Sequence, residues 1–408
     1  MIRKILSAFI LCFMSGNILM PILAVNADSK IAINEKNFPD KIFRESLKNE
    51  MYDDNKDGYL SSEEIEYISN YTYGSYKGSG GIKDLTGIGF LTELEWLEVF
   101  GNELTSLDLS KNTKLRILDC HNNKISNLNL SKNTKLTNLD CGFNKLTGLD
   151  LSKNTDLQEL ECQNNSLKTL SLSNNTELDH LICDGNEISS LDLSNNKKLQ
   201  QLSCDDCSLT GIDVSNQPWL HSLYLKGNDI SDIDLSKNSN LRVVDLSGNK
   251  LKELDFRHCL LIELYCSDNQ LEKLYVKGSD LRELICKNNK LKTLDLSTTT
   301  KISELQCQGN QISTLDIGKC DNLISAFLGK ETVKKGYTIY KDKWDIYHID
   351  VAHRTWGTED IEKTFKEVLD EDHFKRVPVN GVAQVIVDIV KNSGNDVVEP
   401  LKCEEISW

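Results

Sequence analysis

LRILDCHNNKISNLNLSKNTK, residues 115–135, is the stretch that decides the fold. Leu115, Leu118 and Cys120 are spaced three and then two apart, Asn123 follows, and Ile125, Leu128, Leu130 and Asn133 run through the same spacing again ten residues on. Working outward from Leu115, a leucine or isoleucine returns at Leu94, Leu136, Leu157, Leu178, Leu199, Leu220, Leu241, Leu261, Leu281, Ile302 and Leu323, at steps of 21 residues shortened twice to 20. Self-similarity at such a period marks a stack of coils, each unable to bury its apolar face alone. No leg carries a helical stripe. The three-then-two spacing predicts a bend followed by a short strand whose alternate side chains point inward, and so two short strands per 21-residue coil. The asparagines end each strand, where their amides can bond backbone groups of the neighbouring coil that burial would otherwise leave unpaired. With strands about 4.8 Å apart, the coil-to-coil steps build a stack of roughly 50 to 55 Å.

The pattern LxxLxCxxNxLxxLDLSxN, read over residues 94–328, resembles the leucine-rich repeats of secreted bacterial proteins, in the subclass with two alternating half-units. The resemblance implies a β-rich solenoid.

The chain holds 13 cysteines, which in an exported protein would invite a disulfide framework. The repeat register argues otherwise. Cys120, Cys141, Cys162, Cys183, Cys204, Cys266, Cys286 and Cys307 share the inward slot that Val99, Leu225, Leu246 and Leu328 fill in other coils, so cysteine is expected there as a small buried hydrophobe with an inert thiol. Cys207, Cys259 and Cys320 stand in the asparagine columns.

Charge narrows the partners. Lys and Arg total 47 against 62 Asp and Glu, a net −15 that repels a phosphate backbone and an anionic membrane alike, which excludes nucleic acid as a partner. The amino end reads as an export signal over residues 1–27: Arg3 and Lys4 precede an apolar run from Ile5 to Val25, and Val25-Asn26-Ala27 supplies small residues for cleavage. No later segment approaches the length of a membrane span. The mature chain is therefore expected to be secreted or held noncovalently at the cell surface.

Before the repeats, Asp53 to Glu64 read DDNKDGYLSSEE. With Asp53 as position 1, the oxygens of Asp53, Asn55, Asp57, the Tyr59 carbonyl, Ser61 through water, and Glu64 fall where the loop of an EF-hand takes them, and Gly58 supplies the sharp turn. The segment resembles an EF-hand loop, which implies calcium as the cofactor, bound in the weak range on the order of 0.1 to 1 mM because no second loop pairs with it. Phe38, Ile42, Phe43, Leu47 and Met51 form one helical stripe before the loop, and Ser61 with Glu64 makes a capping box for a short helix after it. Residues 28–70 are accordingly an α-helical, EF-hand-like calcium module, residues 71–93 a linker and N-terminal cap, and residues 94–328 the solenoid.

The two legs of the solenoid differ in variety. On the second, Asp108, Asp150, Asp192, Asp213, Asp234, Asp255, Asp295 and Asp316 recur as turn-forming side chains. The first is diverse, with Trp96, Phe100, His121, Phe143, His180, Tyr224 and Tyr265 at non-core slots among acidic groups, as expected of a recognition surface for a protein, peptide or glycan ligand, a basic one suiting the charge.

Residues 329–408 change character, with strands expected over 338–340, 346–351 and 382–390 and a helix from Thr358, a small α+β unit or C-terminal cap. Cys403 with His348, His353 or His373 would be the only route to a cysteine enzyme whose substrate the repeats select. No local signature surrounds Cys403, so a binding protein without catalysis is the reading.

Overall fold

The computed structural model describes residues 30–74 and 81–312 apart from 277 and 279, then Thr314, Leu315, Cys320 and the later strands Ser325–Leu328, Thr332–Val333, Thr338–Lys341, Tyr347–Asp350, Arg376–Val379 and Ala383–Ile386. The export signal, the helix expected from Thr358, and Cys403, His353 and His373 lie outside the described residues.

Each coil places one short strand on a common sheet, from Trp96–Glu98 and Ile117–Asp119 through Glu304–Gln306 to Ser325–Leu328. Neighbouring coils pair parallel and in direct register, so Leu97, Leu118, Leu139 and Leu160 stand one above another with their flanking residues outward. The sheet has 15 strands. Its N-terminal edge is β3 (Asn70–Thr72), upstream of the first leucine of the repeat register, and at the other end Tyr347–Asp350 and Thr338–Lys341 join antiparallel, where the sequence led strands to be expected.

The second leg corrects the expectation of two strands per coil. In most coils it runs extended with no ladder of its own and ends in a local turn: Asp108 Oδ1 accepts from the Ser110 N–H at 2.9 Å, and Asp150 and Asp192 do the same for Ser152 and Ser194. Among the described residues, second legs pair only between Glu253–Asp255 and Lys273–Tyr275 and between Thr314–Leu315 and Thr332–Val333. The first of these pairs falls in the two coils of 20 residues.

Inside, the cysteine column is as the register required. All 11 described cysteines are buried, and burial pushes the thiols of Cys120, Cys141 and Cys162 well above the usual range. Cys183 and Cys204 bring their sulfurs to 2.7 Å, and Cys207, standing where other coils have asparagine, donates from Sγ to the Cys183 carbonyl at 3.2 Å.

Where the first column holds asparagine, it joins a coil to the previous one by two bonds and closes its own turn with a third. Asn186 Nδ2 donates to Cys183 O at 2.8 Å and to Cys162 O at 3.0 Å, while its Oδ1 accepts from Leu167 N at 3.0 Å. In the second column, Asn175 Nδ2 donates to Asn154 O at 2.8 Å and Leu151 O at 3.2 Å, but its Oδ1 has no hydrogen-bond partner among the described residues. Where Cys259 takes that column, its thiol reaches Phe256 O of its own coil, the neighbouring His258 Nε2 makes the bond to Leu235 O of the previous coil at 2.7 Å, and Phe256 N donates to Tyr275 O of the next coil at 2.8 Å.

The N-terminal module closes the apolar end. α1 (Lys41–Ser46) starts at Asp40, whose carboxylate accepts from Ile42 N and Phe43 N, and α2 (Ser62–Tyr67) starts with the expected Ser61–Glu64 capping box. Phe38, Phe43, Leu47, Leu60 and Tyr71 are fully buried, with Phe43 edge-on to Tyr71 at 5.3 Å. The stripe read from sequence is shorter than expected: Ile42 and Met51 are 37% and 75% exposed. α1 stops near Leu47, and Asn49 turns the chain by accepting from Met51 N at 3.1 Å. Gly87, at φ +104°, lets the first coil meet the module, because a Cβ there would lie 2.4 Å from Asn37 O and 2.5 Å from the Phe38 ring.

Each unpaired buried backbone group costs about 1–3 kcal/mol. Asn186→Ala takes the side-chain partner from Leu167 N, while Cys162 O and Cys183 O keep Asn165 Nδ2 and Cys207 Sγ, and is expected to destabilise by roughly 2–3 kcal/mol; Asn175→Ala, whose two carbonyls keep Leu157 N and Asn154 N, should cost about 1 kcal/mol. Urea unfolding of the two variants measures the order; equal losses would remove the distinction between the columns.

Candidate functional site

The outward residues of the sheet form two columns in register. One runs Trp96, Ile117, Asn138, Glu159, His180, and the other Glu98, Asp119, Asp140, Glu161, Ile182. Farther along, Tyr224 and Tyr265 continue the second column, half-buried against their neighbours. Trp96 is 41% exposed, and His180 is half-buried on its strand. Phe143 is 50% exposed, although it sits in the turn after its strand at φ 53°. Six of the seven residues read from sequence as a recognition surface therefore reach the open side of the first leg. Phe100 does not: it is buried, with Gly74 laid against its ring and the His121 imidazole stacked on it at 4.9 Å and 3°. The chain entering the first coil covers it, which the repeat register could not reveal.

His121 is held by more than that stack. Its Nδ1 lies 2.7 Å from Asp119 Oδ1 on its own coil and 3.2 Å from Asp140 Oδ2 on the next. Asp119 and Asp140 are direct partners across parallel strands. The two carboxylates, Asp119 first, raise the imidazole from its ordinary 6.5 to about 10 against the opposing effect of burial. His121 is a candidate of the sequence reading, set among acidic groups; the signal that singles out Asp119 and Asp140 is an aspartate at the same slot of consecutive coils.

The face as a whole is rich in partly desolvated acid. Burial, then the charge of Asp140, raises Glu161, and burial followed by repulsion from Asp184 and Asp245 brings Asp205 up to about 7 even with a Lys226 N–H bonded to it. Glu283 is raised chiefly by burial. A positively charged ligand would relieve this repulsion. On the second leg, by contrast, Ser backbone and side-chain bonds hold Asp108, Asp150 and Asp192 below the usual carboxylate range, as turn-forming groups should be.

The loop read as a calcium site folds around its own amides. Asp53 is 2% exposed, and its two oxygens accept from Asp57 N at 3.1 Å and Gly58 N at 3.0 Å. Asn55 Oδ1 accepts from Asp57 N at 2.8 Å, and Asp57 Oδ1 from Tyr59 N at 2.9 Å. β2 (Tyr59–Leu60) pairs antiparallel with β1 (Ile31–Ala32), which braces the loop where a second loop of the same kind is absent from the described residues. Ser61 and Glu64 hold each other through the capping box, with Glu64 Oε1 also accepting from Asp54 N at 3.0 Å. The donor set suits a hard cation: a buried carboxylate whose described partners are amides, with further oxygens around it. The carboxylates of Asp53, Asp57 and Glu64 are not gathered within 4.8 Å of one another, since Glu64 faces its cap, and ligation by Glu64 would require it to turn from those amides.

Comparison with known proteins agrees with this architecture. Residues 218–258 match the family described as leucine-rich repeats in two copies. The functional domain of InlJ from Listeria monocytogenes, described as including a cysteine ladder, is 27% identical over 78% of this chain and 87% of its own, with a TM-score of 0.57. The internalin InlF from the same organism is 23% identical over 75% of this chain and 93% of its own, with a TM-score of 0.64. A leucine-rich repeat protein of Leptospira interrogans is 21% identical over 67% and 81%, with a TM-score of 0.51. No curated protein matches significantly. The solenoid is thus a leucine-rich repeat fold with internalin-like bacterial neighbours. Among the described residues no helix is long and apolar enough to cross a membrane.

The sign of the His121 shift fixes a pH dependence. With its folded value raised to about 10 from 6.5, the imidazolium's contribution to stability is complete below pH 6.5 and fades as pH rises through 10. The stability difference between the EDTA-treated wild type and His121→Gln, measured by urea unfolding, is expected to shrink from pH 6.5 to 10. A difference that grows over that window would contradict the assigned contacts.

Proposed function

We propose that this chain is an exported, calcium-stabilised binding protein whose open sheet face holds a positively charged protein or peptide segment. The observation that carries the reading is the contrast between columns. Inside, the side chains repeat from coil to coil as leucine and cysteine. Outside on the same strands they vary, and they combine exposed aromatics with carboxylates raised by burial and then by mutual repulsion. A rigid parallel sheet fixes those side chains before any ligand arrives, which lowers the ordering cost of binding. Aromatic groups supply contact area and acidic groups supply orientation and steering. No turnover is assigned to it.

Two features of the N-terminal region support the rest of the proposal. The residues before the described region have the charged and apolar parts of an export signal. The Asp53–Glu64 loop presents a hard-oxygen donor set joined by α2 and β2 to the module that seals the first coil. Calcium there would act on folding stability, by binding the folded loop and not the unfolded chain.

Peptides selected from a displayed random library against the full chain are expected to be enriched in Lys and Arg and to weaken as salt rises. Trp96→Ala together with Phe143→Ala should weaken the selected peptides by roughly tenfold or more, corresponding to a hot-spot pair. Lys168→Ala on the second leg should leave them unchanged. Selection of acidic peptides, or equal loss from Lys168→Ala, would oppose the assignment.

For calcium, adding about 1–5 mM of the ion to chelated protein, above the weak-site range, is expected to raise the melting temperature. Asp53→Ala combined with Glu64→Ala should abolish the increment. A melting curve indifferent to calcium in the wild type would end this part of the proposal.

A further inference from the structure

We propose that Asp119, His121 and Asp140 form a second metal site, distinct from the calcium loop, that takes a single divalent transition-metal ion such as zinc. The proposal stands on this side-chain cluster alone and not on the peptide-binding reading. One oxygen from each aspartate and one imidazole nitrogen lie within 4.8 Å of one another, the cluster of its kind found among the described residues. A nitrogen with two carboxylate oxygens is the donor set of zinc and its neighbours, whereas calcium takes six to eight oxygens and little else.

The dimensions suit the ion. Zinc bonds of about 2.0–2.2 Å set tetrahedral ligands roughly 3.3–3.5 Å apart. His121 Nδ1 now lies 2.7 Å from Asp119 Oδ1 and 3.2 Å from Asp140 Oδ2. Opening the Asp119 contact by roughly 0.6–0.8 Å and the Asp140 contact by roughly 0.1–0.3 Å, within the reach of side-chain torsions, admits the metal in place of the shared proton.

The ligands are also aimed from behind. Asp140 Oδ1 accepts from Gly142 N at 3.0 Å, which turns Oδ2 toward the imidazole. Asp119 Oδ1 accepts from His121 N at 3.1 Å, and the Phe100 ring lies flat against the imidazole. Such outer bonds and contacts set ligand orientation in metal sites. Parallel pairing of Asp119 with Asp140 fixes the distance between the two carboxylates through the backbone.

Charge favours a dication over a proton. Glu98 and Glu161 flank the two aspartates in the same column, placing four carboxylates on four successive strands beside one imidazole. The site faces the open side, with the three side chains 23–26% exposed, so water can complete the coordination.

Isothermal titration of the EDTA-stripped full chain with zinc chloride tests the proposal, alongside cobalt(II) substitution read by visible absorption. One saturable equivalent is expected, weakened roughly tenfold or more by His121→Ala and by Asp140→Asn. Asp53→Ala with Glu64→Ala should leave it in place, and cobalt should show a d–d spectrum without sulfur charge transfer. Circular dichroism establishes that each variant is folded. Absence of saturable binding, retention of full affinity in both variants, or an intense sulfur-to-cobalt band placing the ion on the cysteine column would each overturn the assignment.

Discussion

The asparagine amide that bridges consecutive coils is the constraint on which the rest depends. A coil of about 21 residues must turn sharply at the end of its strand, and each turn carries backbone groups into a dry interior. One side chain answers two carbonyls and one N–H there, as Asn186 does for Cys183, Cys162 and Leu167. Because two of those three groups belong to the previous coil, the same amide that closes a turn also sets the stacking distance and register. Every column on the molecule, apolar or charged, inherits that register.

This explains how much was legible in the sequence. The leucine, cysteine and asparagine positions obey one spacing, so the sheet, the buried thiols and the bridging amides could all be read from it. The second leg could not be read as fully, because apolar alternation is the same for a paired strand and an unpaired extended segment. What separates them is whether a leg's amides reach the next coil, as Phe256 N reaches Tyr275 O, and the aspartate turn does not show it, because Asp108 makes that turn in an unpaired leg and Asp255 in a paired one. Met51 matches a helical stripe by spacing, yet the helix ends at Ser46 and an Asx turn at Asn49 redirects the chain before it, while Ile42 lies within the helix but at the edge of its buried face.

The candidate sites divide in the same way. Local chemistry such as the Asp53–Glu64 loop and its capping box is visible in a dozen contiguous residues. The meeting of His121 with Asp140 depends on a neighbouring coil and appears only when the columns are laid side by side. Phe100 is the converse case. Its slot is outward in the repeat, but the chain that starts the solenoid lies over it. Terminal coils obey the template inside and depart from it outside, where they meet something other than another coil.

The two short coils between Leu241 and Leu281 show that the bridging role is separable from asparagine. Where Cys259 replaces the amide, the adjacent His258 ring reaches Leu235 O of the previous coil, and on the other side the second legs come together with Phe256 N donating to Tyr275 O. The rod can therefore be riveted at a corner by a residue beside the usual asparagine. Coils one residue shorter still hold their first strands in register with both neighbours, so the corner absorbs a change in coil length that the sheet does not feel.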